Sequence, residues 1–194
     1  MRYSKLWATG TSIIAAALLF AGCEGVTYEP EVDVASLKTV SEQDFFNALK
    51  SINIEEDETT TMKDTSFSFE GESEEYPIIF TIDVYSVSDN FFAYTHCADE
   101  KTAKDLFSYY YDQYDDVFES PDFSGIKSYN VGENTGYILI DGRRDNKEER
   151  SYLPYHDALF LKGDTVIVAV ASDYQLDIEK EVDDFLDHLG YPHP

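Results

Sequence analysis

Apolar residues recur at every third or fourth position in three stretches of the chain and at every second position in several others. The first helical stretch carries Phe45, Phe46, Leu49 and Ile52 behind Ser41 and Asp44, a capping-box-like pair, with Val40 and Phe45 spaced as a hydrophobic staple. Asp99 is placed to cap a second helix whose stripe runs through Ala103, Leu106, Phe107, Tyr110, Tyr114, Val117 and Phe118 until Pro121 and Gly125 end it. A third helix puts Ile178, Val182, Phe185, Leu186 and Leu189 on one stripe, with Gly190 as its C-terminal cap and Pro192 beyond.

The two-residue period marks the strands. Ile78, Phe80, Ile82 and Val84 alternate with Thr81, Asp83 and Tyr85, the turn residues Asp89 and Asn90 follow, and Phe91 to Ala98 resumes an aromatic and β-branched run, which predicts a hairpin. Strand signals return at 127–131 and 137–140 around the turn Gly132 to Gly136, and a charged loop is expected over 141–150. Ala158 to Leu161 and Val166 to Ala171 flank Gly163-Asp164 as a further hairpin. The run from Val166 to Ala171 is apolar at every position, so that strand is expected mid-sheet, covered on both faces. Between Asn53 and Tyr76 the chain is acidic and rich in Ser and Thr, with Phe67 and Phe69 as an alternating island that would make an edge strand. The predicted fold class is α+β: an antiparallel β-sheet built from hairpins, with about three packed α-helices.

The first 22 residues have a different character. Arg2 and Lys5 open them, an apolar stretch from Ile13 to Phe20 follows, and Ala21 and Gly22 close them, which is the layout of an export signal. Thr9, Gly10, Thr11 and Ser12 interrupt the apolar run, leaving it short of the roughly 20 residues a permanent span needs. Phe20-Ala21-Gly22-Cys23 resembles a lipobox, with Phe20 where that motif usually has Leu. The resemblance implies cleavage between Gly22 and Cys23 and a thioether-linked diacylglycerol on the Cys23 thiol. Two or three acyl chains suffice for stable anchoring. The expected organisation is therefore a signal peptide over 1–22, a lipidated Cys23 and tether over 23–38, and one extracytoplasmic domain over 39–194. The lipobox, the early amphipathic helix, the aromatic hairpins, the strand after Gly163-Asp164-Thr165 and a closing helix that ends Leu189-Gly190-Tyr191 together resemble small uncharacterised lipoproteins of gut Gram-positive bacteria. That family implies a membrane location and brings no catalytic residues with it.

Charge narrows the partners. With 39 acidic against 14 basic residues the chain has a formal charge of −25, and the predicted signal holds two of the bases and no acid. Nucleic acid, which needs a cationic surface, is not an expected partner. An aromatic content of 15% supplies enough core material to set disorder aside. Cys97 would remain as the single thiol after lipidation of Cys23, so no intramolecular disulfide is expected, and a buried strand residue is the simplest reading of it.

No Gly-rich phosphate loop, no Gly-x-Ser-x-Gly elbow and no His-Glu-x-x-His spacing occurs. His96 and His156 read as strand packing residues and His193 as part of a fraying tail. No catalytic residue, metal site or cofactor is predicted beyond the lipid on Cys23. Asp112, Asp115, Asp116 and Glu119 load the end of the second helix, where the macrodipole is already negative, so a weak cation or a basic partner could bind there; a solvated acidic face is the simpler alternative. Arg143, Arg144, Lys147 and Arg150 interleave with Asp145, Glu148 and Glu149 and read as a solvated loop. Tyr110 and Tyr114 fall on the core stripe, whereas Tyr109 and Tyr111 lie nearer its borders, where they could meet a sugar or a protein. A membrane-anchored binding module with a protein or glycan partner is the expected function class. An envelope enzyme whose site is assembled only by folding is the alternative.

Overall fold

The computed structural model describes residues 32–68, 75–146, 151–172 and 176–194. The signal segment with Gly22 and Cys23, most of the tether, Phe69 and the run 147–150 lie outside them. A short 3-10 turn at Val34–Ser36 leads into α1 (Glu42–Ser51); a second, at Glu56–Glu58, precedes β1 (Thr60–Phe67), β2 (Tyr76–Tyr85) and β3 (Phe91–Cys97). Then come α2 (Glu100–Gln113), a single-turn α3 (Asp115–Phe118), β4 (Phe123–Val131), β5 (Thr135–Asn146), β6 (Ser151–Lys162), β7 (Thr165–Val170) and α4 (Leu176–Leu189). Among the described residues, no helix is long and apolar enough to cross a membrane.

Seven strands form one sheet in the order β1-β2-β3-β7-β6-β5-β4, antiparallel at every pairing. This is the α+β architecture that the alternation predicts. The unbroken apolar strand β7 sits at the centre, and its two faces enter two separate cores. Ile167 and Ala169 join Phe92, Phe160 and Phe185 beneath α1 and α4, while Val166 and Val168 join Ala93, Leu159 and Leu161 beneath α2. Phe45 of α1 meets Phe185 of α4 edge-on at 5.4 Å between centroids, which locks the two helices into one layer.

Local signals are realised closely. Ser41 and Asp44 close a reciprocal capping box on α1, and the Asp99 carboxylate accepts from the Thr102 backbone N–H at the start of α2. The helical stripe from Ala103 to Phe118 is broken at Tyr114, dividing α2 from α3. The start of α4 is fixed by a polar knot: buried Asn90 donates to Glu181 at 2.6 Å and to the Ile178 carbonyl at 2.9 Å, and Ser86 donates to Glu181 at 2.7 Å.

Two expectations change. The last residues of the expected tether over 23–38 pack on the domain, because Leu37 is buried in the first core and Tyr191 donates to the Lys38 carbonyl at 2.6 Å. The expected charged loop also begins as strand: β5 and β6 pair without interruption from Thr135↔Lys162 to Asn146↔Ser151, so Asp141, Arg143 and Arg144 belong to a sheet. A hydrophobic period cannot detect a strand whose outer half is polar on both faces.

That long arm depends on two glycines. Gly125 and Gly142 face each other across β4 and β5 with φ of +153° and +154°, and a Cβ on Gly142 would lie 2.4 Å from the Ser124 carbonyl oxygen and 2.8 Å from the Gly125 Cα. Gly142→Ala is therefore expected to cost about 2 kcal/mol or more in chemical denaturation. Gly163→Ala, with φ of +61° and nothing within 4 Å of its added Cβ, should cost about 1–2 kcal/mol through conformation alone.

Candidate functional site

On the face covered by α1 and α4 the inward positions of β5 run Tyr137, Leu139, Asp141, and those of β6 run Phe160, Ala158, His156. The apolar series thus ends on each strand in a polar residue, and the register pairs the two, Asp141↔His156. Above them α4 brings Glu179 and Asp183, one turn apart. The His156 ring is 7% exposed and is held at both nitrogens, Nδ1 at 3.2 Å from Asp141 Oδ1 and Nε2 at 3.0 Å from Asp183 Oδ1. His193 Nδ1 stands 3.4 Å from the same Asp183 oxygen.

Two ionised carboxylates can only accept, so both imidazole nitrogens must donate, which requires the imidazolium. Burial pulls its pKa down, but the hydrogen bonds to Asp141 and Asp183 outweigh burial and the net shift is upward. Glu179 completes the group: one of its oxygens, one from Asp141 and a His156 ring nitrogen all lie within 4.8 Å of one another. Its Oε1 is shielded from solvent and has no hydrogen-bond partner among the described residues. Burial raises the Glu179 carboxyl above its ordinary range, against the pull of His156.

The opposite face of β6 carries a second buried charge. Asp157, 4% exposed, accepts a hydrogen bond of 2.8 Å from the Tyr114 hydroxyl at the α2–α3 break. Burial pushes its carboxyl up to about 7, with the Tyr114 hydrogen bond and the nearby His156 opposing. Burial likewise raises the Tyr114 phenol, helped by the carboxylate beside it.

A third feature is a groove. α2 packs over β3, β7 and β6, so among the described residues no helix packs on the same face of β1 and β2. A cavity of about 410 Å³ opens there. Phe67, Phe91, Tyr109 and Tyr110 supply its aromatic walls, and Thr81, Thr95 and Asp83 line the sheet side. Thr81 Oγ1 donates to Asp83 at 3.2 Å and lies 3.2 Å from Thr95 Oγ1. Burial raises the Asp83 carboxyl, against the Thr81 hydrogen bond.

The residues singled out in the sequence fall elsewhere. Asp112, Asp115 and Glu119 are exposed, and the side chain of Asp116 lies outside the described set. The C-terminal end of α3 is answered from within the chain, because Lys127 donates to the Phe118 carbonyl. Tyr111 packs in an aromatic cluster with Phe118 and Tyr129, at 5.3 and 5.2 Å, whereas Tyr109 reaches the groove. Cys97 is fully buried, and burial pushes its thiol up to about 12, which makes it unreactive. His96 lies 3.3 Å from Asp164 at the strand end. The Asp141–His156–Glu179–Asp183 group was missed because its members look like packing and loop residues until the register pairs them. The available signal was a polar residue at the next inward position after each apolar series.

Asp157 gives a pH dependence of defined sign. Its folded value lies above the ordinary 3.8, so the folded state retains a proton that the unfolded chain releases. That contribution is complete below pH 3.8 and is lost as pH rises to about 7. Asp157→Asn, which keeps an acceptor for Tyr114 but cannot ionise, should gain stability relative to wild type across that window in urea titrations. Tyr114→Phe, which strands the buried carboxylate, should cost about 1–3 kcal/mol at neutral pH. Comparison with protein-family models, curated proteins and solved structures returned no match, so the roles of these sites are argued from their own chemistry.

Proposed function

We propose that this chain is an extracytoplasmic lipoprotein, held on a membrane by acyl chains on Cys23, whose folded domain is a non-enzymatic binding module with its ligand site in the groove between α2 and the β1–β2 edge. The observation that carries the reading is the groove itself: aromatic walls facing a floor of hydroxyls and one carboxylate, left open because α2 and α3, among the described residues, cover the β3-to-β4 side of that face and not β1 and β2. Aromatic rings offer flat apolar contact, and Thr81, Thr95 and Asp83 offer directional hydrogen bonds. A pyranose ring presents the matching combination of one apolar face and a rim of hydroxyls. Asp83 and the formal charge of −25 both select against anions, so the ligand is neutral or cationic.

The lipid and the groove divide the work. A strongly acidic domain is repelled from anionic headgroups within a Debye length of about 8 Å, so the acyl chains must supply the membrane affinity. Cys23→Ala is expected to move the protein from the membrane fraction to the soluble fraction on cell fractionation. Firm membrane association of that variant would overturn the anchoring reading. A panel of neutral mono- and disaccharides, read by saturation-transfer NMR on the detergent-solubilised full chain, tests the groove. Tyr109→Ala is expected to weaken the bound sugar about tenfold with little change in melting temperature. No saturable sugar, or one indifferent to Tyr109→Ala and Asp83→Asn, would remove the groove as the site.

A further inference from the structure

We propose that Asp141, His156 and Glu179 are the ligands of one divalent transition-metal ion, with zinc the best fit, and that Asp183 is the carboxylate that orients the histidine. The site lies at the end of the core beneath α4. It is independent of the groove.

The geometry is that of a zinc site before closure. Ligands of a tetrahedral zinc at about 2.0–2.2 Å stand roughly 3.4 Å from one another. His156 Nδ1 and Asp141 Oδ1 are already 3.2 Å apart, and a Glu179 oxygen completes a group of ligand atoms within 4.8 Å, so a shift of at most about 1.4 Å at one flexible glutamate closes it. Because Nε2 is committed to Asp183 at 3.0 Å, Nδ1 is the nitrogen turned to the Asp141 side. A hydrogen bond from the non-ligating nitrogen to a carboxylate is the arrangement that fixes tautomer and ring angle in metal-bound histidines. When the ion binds, the Nδ1 proton passes to solvent and the Nδ1 lone pair, the Asp141 carboxylate and the Glu179 carboxylate become donors, leaving a position for water.

Three further observations point to a cation. The Glu179 Oε1 is shielded and lacks a partner among the described residues, which is a costly state for a carboxylate oxygen unless a ligand engages it. Three carboxyl groups, of Asp141, Glu179 and Asp183, gather around the His156 ring, with His193 at 3.4 Å from Asp183 the other base beside them among the described residues, so acidic groups outnumber basic ones there. The three ligands and the orienting Asp183 also stand on rigid elements, Asp141 and His156 on paired strands and Glu179 and Asp183 a turn apart on a helix. One imidazole with two carboxylates suits zinc and its transition-metal neighbours, whereas calcium takes six to eight oxygens. Asp141 and Asp183 are each 32% exposed, which leaves the ion a way in past the buried ring.

The test is calorimetric titration of the full chain, in detergent and metal-free buffer, with Zn²⁺ and with Ca²⁺, together with Co²⁺ as a visible-absorption probe. One saturable equivalent of Zn²⁺ is expected, with Co²⁺ giving the intense bands of a four-coordinate site. Glu179→Gln should weaken Zn²⁺ at least tenfold, and Asp183→Asn about 10–100-fold. Glu179→Gln removes a carboxylate from among carboxylates, so its metal-free melting temperature should equal or exceed that of wild type. Asp141→Asn supplies a second variant should Glu179→Gln fold poorly, and Asp112→Asn on the exposed face should leave Zn²⁺ binding unchanged. The proposal is overturned by an absence of saturable Zn²⁺ binding, by Zn²⁺ affinity that survives both Glu179→Gln and Asp141→Asn, or by Ca²⁺ binding as tightly as Zn²⁺.

Discussion

A strand with no polar face has to be buried twice, and in this protein the consequence spreads outward from β7. Val166 and Val168 need one apolar layer and Ile167 and Ala169 need another, so helices are required on both sides of the sheet. The cover is unequal. α1 and α4 share one face, pinned to each other by Phe45 and Phe185, while α2 and the single turn of α3 serve the other. Seven strands at roughly 4.8 Å spacing are wider than a helix of about 10 Å and one further helical turn can shade. The groove beside β1 and β2 follows from that shortfall in width.

The same constraint explains why the charged residues gather where they do. Along β5 and β6 the inward positions are apolar as far as the hydrophobic stripe of α4 covers them, and where α4 turns its polar Glu179 and Asp183 to the sheet, Asp141 and His156 take the places that Leu139 and Ala158 occupy one pair earlier. A polar pair at the margin of a core is tolerated if its hydrogen bonds are completed, and α4 completes most of them with Asp183 and Glu179. On the reverse face Asp157 solves the same problem with Tyr114 and by shifting toward its protonated form. Consecutive residues of β6 therefore carry buried charge to opposite layers.

How much of this was legible depends on which residues carry the signal. Helices were readable because Ser41, Asp99 and the stripe from Ile178 to Leu189 speak locally, and β7 announced its central place by the unbroken apolar run from Val166 to Val170. The outer half of the β5–β6 arm was not readable. Its strand character lies in register with a partner rather than in alternation, and Arg143, Asp145 and Arg144 resemble a loop when taken alone. The N-terminal segment was hidden for a related reason, since Val32, Val34 and Leu37 form no α-helix or strand of their own and dock through the core and through the Tyr191 hydrogen bond to Lys38 from the far end of the chain.

The carboxylate–histidine group shows the limit in its sharpest form. Asp141 and His156 are 15 positions apart, and Glu179 and Asp183 lie more than 20 further on, so no spacing rule would have joined them. What sequence does contain is the end of each apolar series, which says that a polar residue faces inward without saying what it faces. Only the register of β5 on β6 and the polar knot that fixes the start of α4 supply the partner. Chemistry assembled this way is held by backbone pairing and helix docking together. Its geometry is therefore as rigid as the paired interior strands on which it stands and the helix docked above them.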